Sequence, residues 1–319
     1  MNTRYRTDPG SFIAALGTRD LSALRQIPKS DLHIHSILGP RLETIEQWLG
    51  VTFPRPPEQM SSLDEMVQYA HSVLYPHLMT QRGFEFTSRA AIQDAVADGV
   101  SILEMSLDMR FIAMYETGAN GFLSFVSGLV AEYRDRIDFR PEIGISRDRS
   151  AVDQAMLAGM CMDANVFRSI DLYGNETAQP PELYRDLYRY ARTRGLKLKV
   201  HAGEFAGPDA ISNTLDVLEP DELQHGVMAA RSLPLMTRLR RDGIRLHVCP
   251  SSNVRLGVVR NMTDHPIRTL FDHGVRVTIN SDDPIIFGQS VSQEYLNLFV
   301  AGVLTAEELD AIRLEGLSI

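Results

Sequence analysis

Histidines and acidic residues recur in this sequence where short apolar runs end. The first such group is Asp31-Leu32-His33-Ile34-His35, in which one residue separates the two imidazoles. Side chains two positions apart on a β-strand point to the same face, so both rings can reach one metal ion. Two strand histidines that face a polar interior would have the same spacing, so this motif alone is a weak signal for a metal site.

A second histidine ends the apolar run in Lys199-Val200-His201-Ala202-Gly203-Glu204. The small residues after His201 let the backbone approach a ligand closely. Because a turn separates the two side chains, the His201 imidazole can bind a metal while the Glu204 carboxylate reaches a substrate as an acid or base. The alternative is that Glu204 caps a following helix.

Two further groups lie nearer the C-terminus. The first, Leu223-Gln224-His225-Gly226, again ends in histidine and glycine, and the second, Asn280-Ser281-Asp282-Asp283-Pro284, places two carboxylates side by side. Adjacent carboxylates repel each other unless a cation lies nearby. Taken alone, His225 also fits a hydrogen-bonded core histidine, and the two aspartates also fit a turn before proline.

Together the four groups indicate a site with three imidazoles and one carboxylate. Such a set suits zinc or another borderline divalent ion. A metal site with an open position lowers the pKa of bound water from about 16 to about 7, which favours metal-assisted hydrolysis. The cytidine-deaminase type of zinc site, with H-x-E and P-C-x-x-C motifs, is excluded because only Cys249 lies near such a pattern.

These groups meet only if the elements that carry them form one barrel. Apolar runs, most of them rich in β-branched residues or leucine, alternate with helical patterns about eight times. The predicted strands are Lys29 to His35, Val100 to Leu107, Phe139 to Ile145, Phe167 to Leu172, Leu196 to His201, Glu222 to His225, Ile244 to Val248 and Val275 to Asn280. Two helices are clear, Pro181 to Arg194 and Thr263 to His273, and a glycine follows each. This order predicts an α/β fold, a (β/α)8 TIM barrel with catalytic groups at the C-terminal strand ends.

We expect a single domain over residues 1–319, in which residues 1–27 lead into the first strand. Residues 42–88 interrupt the alternation with helical patterns and a proline-rich turn. Long insertions in compact domains are often functional. The sequence therefore predicts extra helices after the first strand, as an insertion or lid over the barrel mouth.

Composition excludes several classes of partner. The net charge of −9 repels phosphate backbones and anionic membranes, so we expect neither a nucleic acid nor a membrane partner. The polar N-terminal residues 1–10 lack the apolar stretch of a signal peptide. Two cysteines are too few for a disulfide framework. A cytoplasmic protein with a small-molecule substrate is the expectation.

The chain also resembles the adenosine deaminase family of metal-dependent amidohydrolases. Six motifs stand in that family's order over about 250 residues. They are H-x-H after Pro-Lys at Pro28 to His35, I-D-L-x-G-x-E at Ile170 to Glu176, H-A-G-E at His201 to Glu204, H-G at His225 and Gly226, C-P-x-S-N at Cys249 to Asn253, and S-D-D-P at Ser281 to Pro284. The resemblance implies a zinc-dependent hydrolytic deaminase that converts adenosine or a related aminopurine to the 6-oxo product and ammonia.

The resemblance also implies a ligand set for one divalent ion. His33, His35, His201 and Asp282 would bind zinc, and another transition metal is the alternative. Asp282 would in addition orient and deprotonate the attacking water, together with His225.

Other residues would hold and protonate the purine. Glu204 would protonate the ring nitrogen beside the attacked carbon. Asp283 would hydrogen-bond the five-membered ring, and the Gly174 backbone N–H would hold the remaining pyrimidine nitrogen. His35 and Ser36 are further expected substrate contacts.

The chain departs from the family pattern after the first motif. Adenosine-handling members continue with Leu-Asp-Gly, whereas this chain reads Ser36-Ile37-Leu38-Gly39-Pro40 and has no carboxylate there. Ser36, Arg41 and Arg110 could instead face a phosphate or another 5′ group, because guanidinium groups recognise oxyanions. The alternative for each arginine is a solvated charge on the barrel rim.

Other functions remain open on the sequence alone. The substrate could be a different aminated heterocycle, or a 5′- or N6-modified adenine nucleoside or nucleotide. PHP-type metal-dependent phosphoesterases begin with a motif like Asp31 to Ser36, and a non-catalytic binding barrel is a third alternative.

The remaining histidines receive structural interpretations. Those outside the motifs are predicted to be surface or packing groups in helices or loops, namely His71, His77, His265 and His273. His247 lies two positions before Cys249 and can face the same interior.

Overall fold

The computed structural model describes residues 9–318 and has at its centre eight parallel strands that pair in chain order. The strands are β1 (Lys29–Asp31), β2 (Val100–Asp108), β3 (Asp138–Ser146), β4 (Ser169–Tyr173), β5 (Lys197–Ala202), β6 (Glu222–His225), β7 (Arg245–Val248) and β8 (Arg276–Ile279). A bridge between Ile34 and Asp282 brings the ends of β1 and β8 together, so the sheet is a nearly closed barrel. The predicted (β/α)8 TIM barrel is confirmed.

Helices follow every strand of the barrel. Those before β3 are α1 (Pro9–Gly17), α2 (Leu21–Leu24), α3 (Leu42–Leu49), α4 (Leu63–Tyr69), a π-helical turn (Ala70–Leu74), α5 (Tyr75–Leu78), α6 (Gln81–Ala97), a 3-10 helix (Met109–Met114) and α7 (Ala119–Tyr133). Those between β3 and β7 are α8 (Ala151–Met162), a 3-10 helix (Pro181–Tyr184), α9 (Arg185–Thr193), α10 (Pro208–Leu218), a 3-10 helix (Val227–Arg231) and α11 (Leu233–Asp242). The last are α12 (Pro250–Arg255), a 3-10 helix (Met262–Asp264), α13 (Ile267–Asp272), α14 (Pro284–Phe287), α15 (Val291–Val300) and α16 (Ala306–Leu317).

All eight predicted strands are present, and the largest difference is at the end of β1. The strand predicted over Lys29 to His35 ends at Asp31. The Leu32 N–H then binds the Asn280 side-chain oxygen at 2.8 Å instead of a neighbouring strand. His33 and His35 therefore lie just past the strand, at the mouth of the barrel.

One of the two clear helix predictions is wrong, because the predicted helix is not continuous. The helix predicted over Thr263 to His273 is divided into the 3-10 helix at Met262–Asp264 and α13, with His265 and Pro266 between them. Proline has no N–H and disfavours helical backbone in the residue before it, so the helix breaks there. The other predicted helix, Pro181 to Arg194, is present as a 3-10 turn that continues into α9.

Four α-helices and a π-helical turn separate β1 from β2, as predicted for residues 42–88. The ring of Trp48 in α3 stacks on Phe86 in α6, with centroids 4.0 Å apart. The proline-rich segment packs against the β7 side of the barrel, because Met60 N donates to the Arg255 carbonyl at 2.7 Å. The insertion thus bridges two sides of the mouth, and its role as a lid stays a prediction.

The barrel interior below the mouth is charged. The Lys199 ammonium contacts the carboxylates of Glu104 and Glu142, the latter at 2.6 Å, and donates to the Leu32 carbonyl at 3.0 Å. Burial alone would lower the pKa of Lys199, but these carboxylates raise it above its usual value. Breaking a buried pair by removing one partner costs several kcal/mol, roughly 3–5. This cluster therefore fixes β2, β3 and β5 relative to β1.

The interpretation of the N-terminus falls on residues 1–10, of which residues 1–8 lie outside the described part. Within residues 9–318, no helix combines the length and apolar character needed to span a bilayer. Cys161 and Cys249 are both buried and unpaired with each other.

Candidate active site

The ends of four strands bring the predicted ligand residues together. The His33 ring centroid lies 5.4 Å from that of His35, 4.8 Å from that of His201 and 4.5 Å from that of His225. The Nε2 atoms of His33 and His35 each lie 3.7 Å from Asp282 Oδ1. All five side chains therefore meet at the C-terminal end of the barrel.

Unusual backbone conformations place two of these side chains. His225 and Asp282 have φ angles of 61° and 62°, in the left-handed region that non-glycine residues rarely adopt. Such strain costs about 1–3 kcal/mol per residue and persists only where surrounding contacts enforce it. At Asp282 one such contact is its N–H, which donates to the His33 carbonyl at 3.0 Å.

The imidazoles fit a divalent metal. His33 Nδ1 lies 3.3 Å from both the His247 carbonyl and Cys249 Sγ, and because the carbonyl can only accept, a proton on Nδ1 would satisfy it and leave the Nε2 lone pair for a metal. The Nε2 atoms of His33 and His201 are buried and have no hydrogen-bond partner among residues 9–318. Ligand atoms of His33, His35 and His201 lie within 4.8 Å of one another. A cation at this point would satisfy atoms that are otherwise buried without a partner.

Burial sets the protonation of the histidines. Removal from water lowers the pKa of His33 and His225 well below the usual range, and lowers that of His35 to about 3 with help from nearby His201. A neutral imidazole is the form that binds metals. His33 and His35 are therefore in the form that binds a metal at neutral pH.

The pKa values of the acidic residues shift in the opposite direction. Burial, with the charge of Asp282 next in importance, raises the pKa of Glu204 well above its usual value. Burial and Asp282 likewise raise the pKa of Asp283, and burial raises that of Asp282 itself to about 6. Burial therefore favours the protonated form of the Glu204 carboxyl, with Oε2 3.4 Å from His225 Nε2 and Oε1 buried. A carboxylic acid held in this form can donate a proton.

Two acidic residues in the Ile170 to Glu176 motif have roles that the sequence analysis missed. Asp171 Oδ2 lies 3.5 Å from His201 Nε2. The Glu176 carboxylate accepts hydrogen bonds from the backbone N–H groups of Gly203, Glu204 and Phe205 at 2.6, 2.7 and 3.0 Å. The signal in the sequence was the I-D-L-x-G-x-E motif itself, which contains both acids but assigned neither of them a role. Glu176 holds the turn that carries Glu204.

We expect Glu176→Gln to lower kcat by about 10-fold or more. A glutamine side chain has one acceptor oxygen and an NH2 group that would oppose a backbone N–H, and each hydrogen bond to a charged group contributes about 1.5–3 kcal/mol. Steady-state kinetics and metal analysis check this, and metal content should remain unchanged. Glu182→Gln, at an exposed glutamate on the next 3-10 turn, is the matched control. Equal kinetic effects in both variants would contradict the positioning role.

A cavity of about 330 Å³ opens beside the histidines. Its size is at the lower end of small-molecule sites, which span about 300–1,000 Å³. The predicted substrate contacts His35, Ser36, Gly174 and Asp283 all line it. Side chains of the insertion, among them Tyr75, line it as well.

The two arginines considered either as phosphate contacts or as rim charges differ in position. Arg110 lines the cavity, with its Nε 2.6 Å from Asp108 Oδ2. Arg41 is not among the cavity residues, and its Nε donates to Asp94 Oδ1 at 3.0 Å. Arg41 thus fits the alternative given for it, an exposed charge on the barrel rim, where Asp94 of α6 binds it outside the cavity.

The structure also gives positions and partners for three histidines outside the predicted site. His71 lies on the insertion and lines the cavity. Both ring nitrogens of His247 are used below the site, at 2.9 Å from Glu222 Oε2 and 2.8 Å from Thr278 Oγ1. His265 is buried and contacts Asn253.

The model of the adenosine deaminase family matches residues 145–318 of this chain. The chain is 35% identical over 300 residues to a putative adenosine/adenine deaminase of Treponema pallidum, and the match covers 92% of this chain and 100% of that protein. More than half of the chain thus matches the family model, and nearly all of it matches the relative.

Two solved structures have the same architecture. An adenine deaminase from Arthrobacter aurescens superposes with a TM-score of 0.80 at 25% identity, covering 91% of this chain and 92% of that one. An amidohydrolase from Burkholderia ambifaria with bound zinc superposes with a TM-score of 0.77 at 22% identity, covering 99% and 89%.

Proposed function

The chain belongs to the adenosine deaminase family, and from this premise we propose that it is a zinc-dependent hydrolase that deaminates adenine or adenosine. The amino group at C6 would be replaced by oxygen, and ammonia would be released. The observation that carries the proposal is a buried Glu204, whose surroundings favour its protonated form, beside buried imidazole nitrogens that have no hydrogen-bond partner among the described residues.

In this proposal His33, His35, His201 and Asp282 hold one zinc ion. The chemistry of the donor set supports it, because three imidazoles and one carboxylate suit a borderline divalent ion. Zinc is also present in an amidohydrolase of the same fold. When bound, the ion supplies a Lewis acid that makes water nucleophilic at neutral pH.

The protein side chains divide the remaining work. Glu204 donates its proton to ring nitrogen N1 as water adds to C6. This proton neutralises the negative charge that the addition would otherwise place on the purine ring. His225 and Asp282 orient the water and accept its proton. Asp283 and the Gly174 N–H hold the purine. The proton taken from the water passes to the amino group, which leaves as ammonia, and the proton of the new C6 hydroxyl returns to Glu204 as the 6-oxo group forms.

The charges around the cavity favour a substrate without a phosphate. Asp64, Asp108 and Asp148 line it together with Arg110 and Arg149. Because Arg110 and Asp108 form an ion pair, their charges cancel and an acidic excess remains. Adenine or adenosine is therefore proposed in preference to an adenine nucleotide.

Ammonia release by the zinc-loaded protein tests this function. The panel comprises adenine, adenosine, 2′-deoxyadenosine, AMP, N6-methyl-AMP, guanine and cytosine, with Glu204→Gln as the blank. Adenine or adenosine should give the highest kcat/KM, by about 10-fold or more over AMP, which corresponds to about 1.4 kcal/mol. A preference for AMP would refute the unphosphorylated substrate, and no turnover on any purine would refute the function.

We expect Asp148→Asn to raise the kcat/KM ratio of AMP to adenosine by roughly 2- to 5-fold at low salt. Asp148 is exposed, and exposed charges interact by about 0.2–1 kcal/mol. Because salt screens such charges, the change should shrink as ionic strength rises. Asp153→Asn, at an exposed acid on α8 outside the cavity, should leave the ratio unchanged. A ratio that does not respond to Asp148→Asn would show that the acidic excess does not select against phosphate.

A further inference from the structure

The direction of the hydrogen bonds behind His225 can be derived from one backbone group. Ile267 is the first residue of α13, so its N–H has no acceptor within the helix. This N–H donates to His265 Nδ1 at 3.2 Å. A backbone N–H can only donate, and burial lowers the pKa of His265 to about 3, so the ring is neutral. The single ring proton of His265 is therefore on Nε2.

The next bond orients the Asn253 amide. His265 Nε2 lies 3.4 Å from Asn253 Oδ1, and because Nε2 carries a proton, the amide oxygen is its acceptor. The amide NH2 group must then face the other way, where Asn253 Nδ2 lies 3.4 Å from His225 Nδ1. Asn253 is fully buried, and its backbone N–H is bound to the Cys249 carbonyl at 3.0 Å. The amide is thus held between the two rings.

We propose that His265 and Asn253 are positioning residues that fix the tautomer of His225. Because the Asn253 amide donates to Nδ1, the neutral His225 ring carries its proton on Nε2. That nitrogen faces the site, 3.4 Å from Glu204 Oε2 and 3.9 Å from Asp282 Oδ2. His225 therefore presents a donor to the cavity.

This arrangement gives different roles to His225 and Asp282, which the proposed function assigned jointly to the water. A ring with Nε2 protonated can donate to a water oxygen and cannot take its proton there. The acceptor of that proton is then the Asp282 carboxylate. This consequence for turnover rests on the proposed function, whereas the tautomer itself follows from the hydrogen bonds alone.

The break in the predicted helix allows His265 to make this hydrogen bond. Pro266 separates His265 from α13, so the imidazole can turn back and accept from the first N–H of that helix. A histidine inside a continuous helix would find that N–H bound to a carbonyl. The first N–H of α13 thus supplies the donor that sets the direction of the hydrogen bonds from His265 through Asn253 to His225, which we call the relay.

Nitrogen-15 NMR of the zinc-loaded full-length protein, labelled at histidine, tests the inference. Long-range proton–nitrogen couplings distinguish a protonated ring nitrogen from an unprotonated one, and the signals lost in His225→Asn assign this residue. We expect His225 to be protonated on Nε2 in the wild type. In Asn253→Asp the new carboxylate can only accept, so the proton should move to Nδ1. His225 protonated on Nδ1 in the wild type, or on Nε2 in Asn253→Asp, would overturn the relay.

Kinetics give a second measurement. Asn253→Asp should lower kcat by about 10- to 100-fold, as for other residues behind a site, with KM within about 3-fold and metal content unchanged. The matched control is His273→Gln, because His273 is exposed at the end of α13 and its Nδ1 contacts only the Thr269 carbonyl among the described residues. A Asn253→Asp variant with wild-type kcat would contradict the positioning role.

A further variant covers the case in which Asn253→Asp does not fold. His265→Phe keeps a ring of similar size but removes the donor, so the Asn253 amide can rotate and His225 should show both tautomers. A single Nε2-protonated form in His265→Phe would overturn the proposal. If the ring nitrogens behave as expected but no purine is deaminated, the relay stands and the proposed function fails.

Discussion

Glu204→Gln is expected to lower kcat for adenosine or adenine by roughly 10² or more while zinc content stays at the wild-type level. The glutamine side chain keeps the size of Glu204 and an N–H donor, but it has no proton to transfer to the purine ring. Glu204 has no place in the proposed ligand set, so the metal should remain. Steady-state kinetics and elemental analysis of the same preparation measure both quantities.

Thermal unfolding of the chelated protein adds a control for folding. The raised pKa of Glu204 means that the folded protein retains a proton that the unfolded chain releases above its usual value of 4.5. Stability from this group is therefore present below that pH and is lost as pH rises. The Tm of Glu204→Gln should equal or exceed that of the wild type, and the difference should grow between pH 5 and pH 8. A lower Tm would attribute the loss of activity to misfolding.

Removal of the metal should have the largest effect of all. A chelator is expected to abolish turnover and lower Tm, since an ion that binds only the folded state stabilises it by about 2.7 kcal/mol at 100 times its Kd. Zinc added back should restore both.

His201→Ala identifies the site of this effect. Loss of one proposed ligand should weaken zinc affinity by more than the 10- to 100-fold loss typical of supporting residues. At limiting zinc, the amount of bound zinc should therefore fall by about 10-fold or more. His77→Ala, at an exposed histidine of the insertion, should retain full zinc content. Equal zinc loss in His201→Ala and Glu204→Gln would contradict the division between metal ligand and acid.

Much of the architecture could be predicted from sequence because it depends on local pattern. Apolar runs between helical patterns predicted all eight strands, and the barrel follows from their order. The same logic placed His201, His225 and Asp282 at strand ends, where parallel strands of one barrel converge. The prediction failed locally at Pro266, where one proline divided a helix that otherwise had the right pattern.

The sequence by itself determined which side chains lie at the barrel mouth, because the histidines and acids stand where the predicted parallel strands end. Only the tertiary structure decided which partners they meet. Arg41 binds Asp94 instead of a substrate, Glu176 holds the turn at Glu204, and His265 reaches His225 through Asn253. These partners lie on different elements and far apart along the chain, and no periodicity links them. Their contacts arise when the closed barrel and its helices bring separate segments within hydrogen-bond distance.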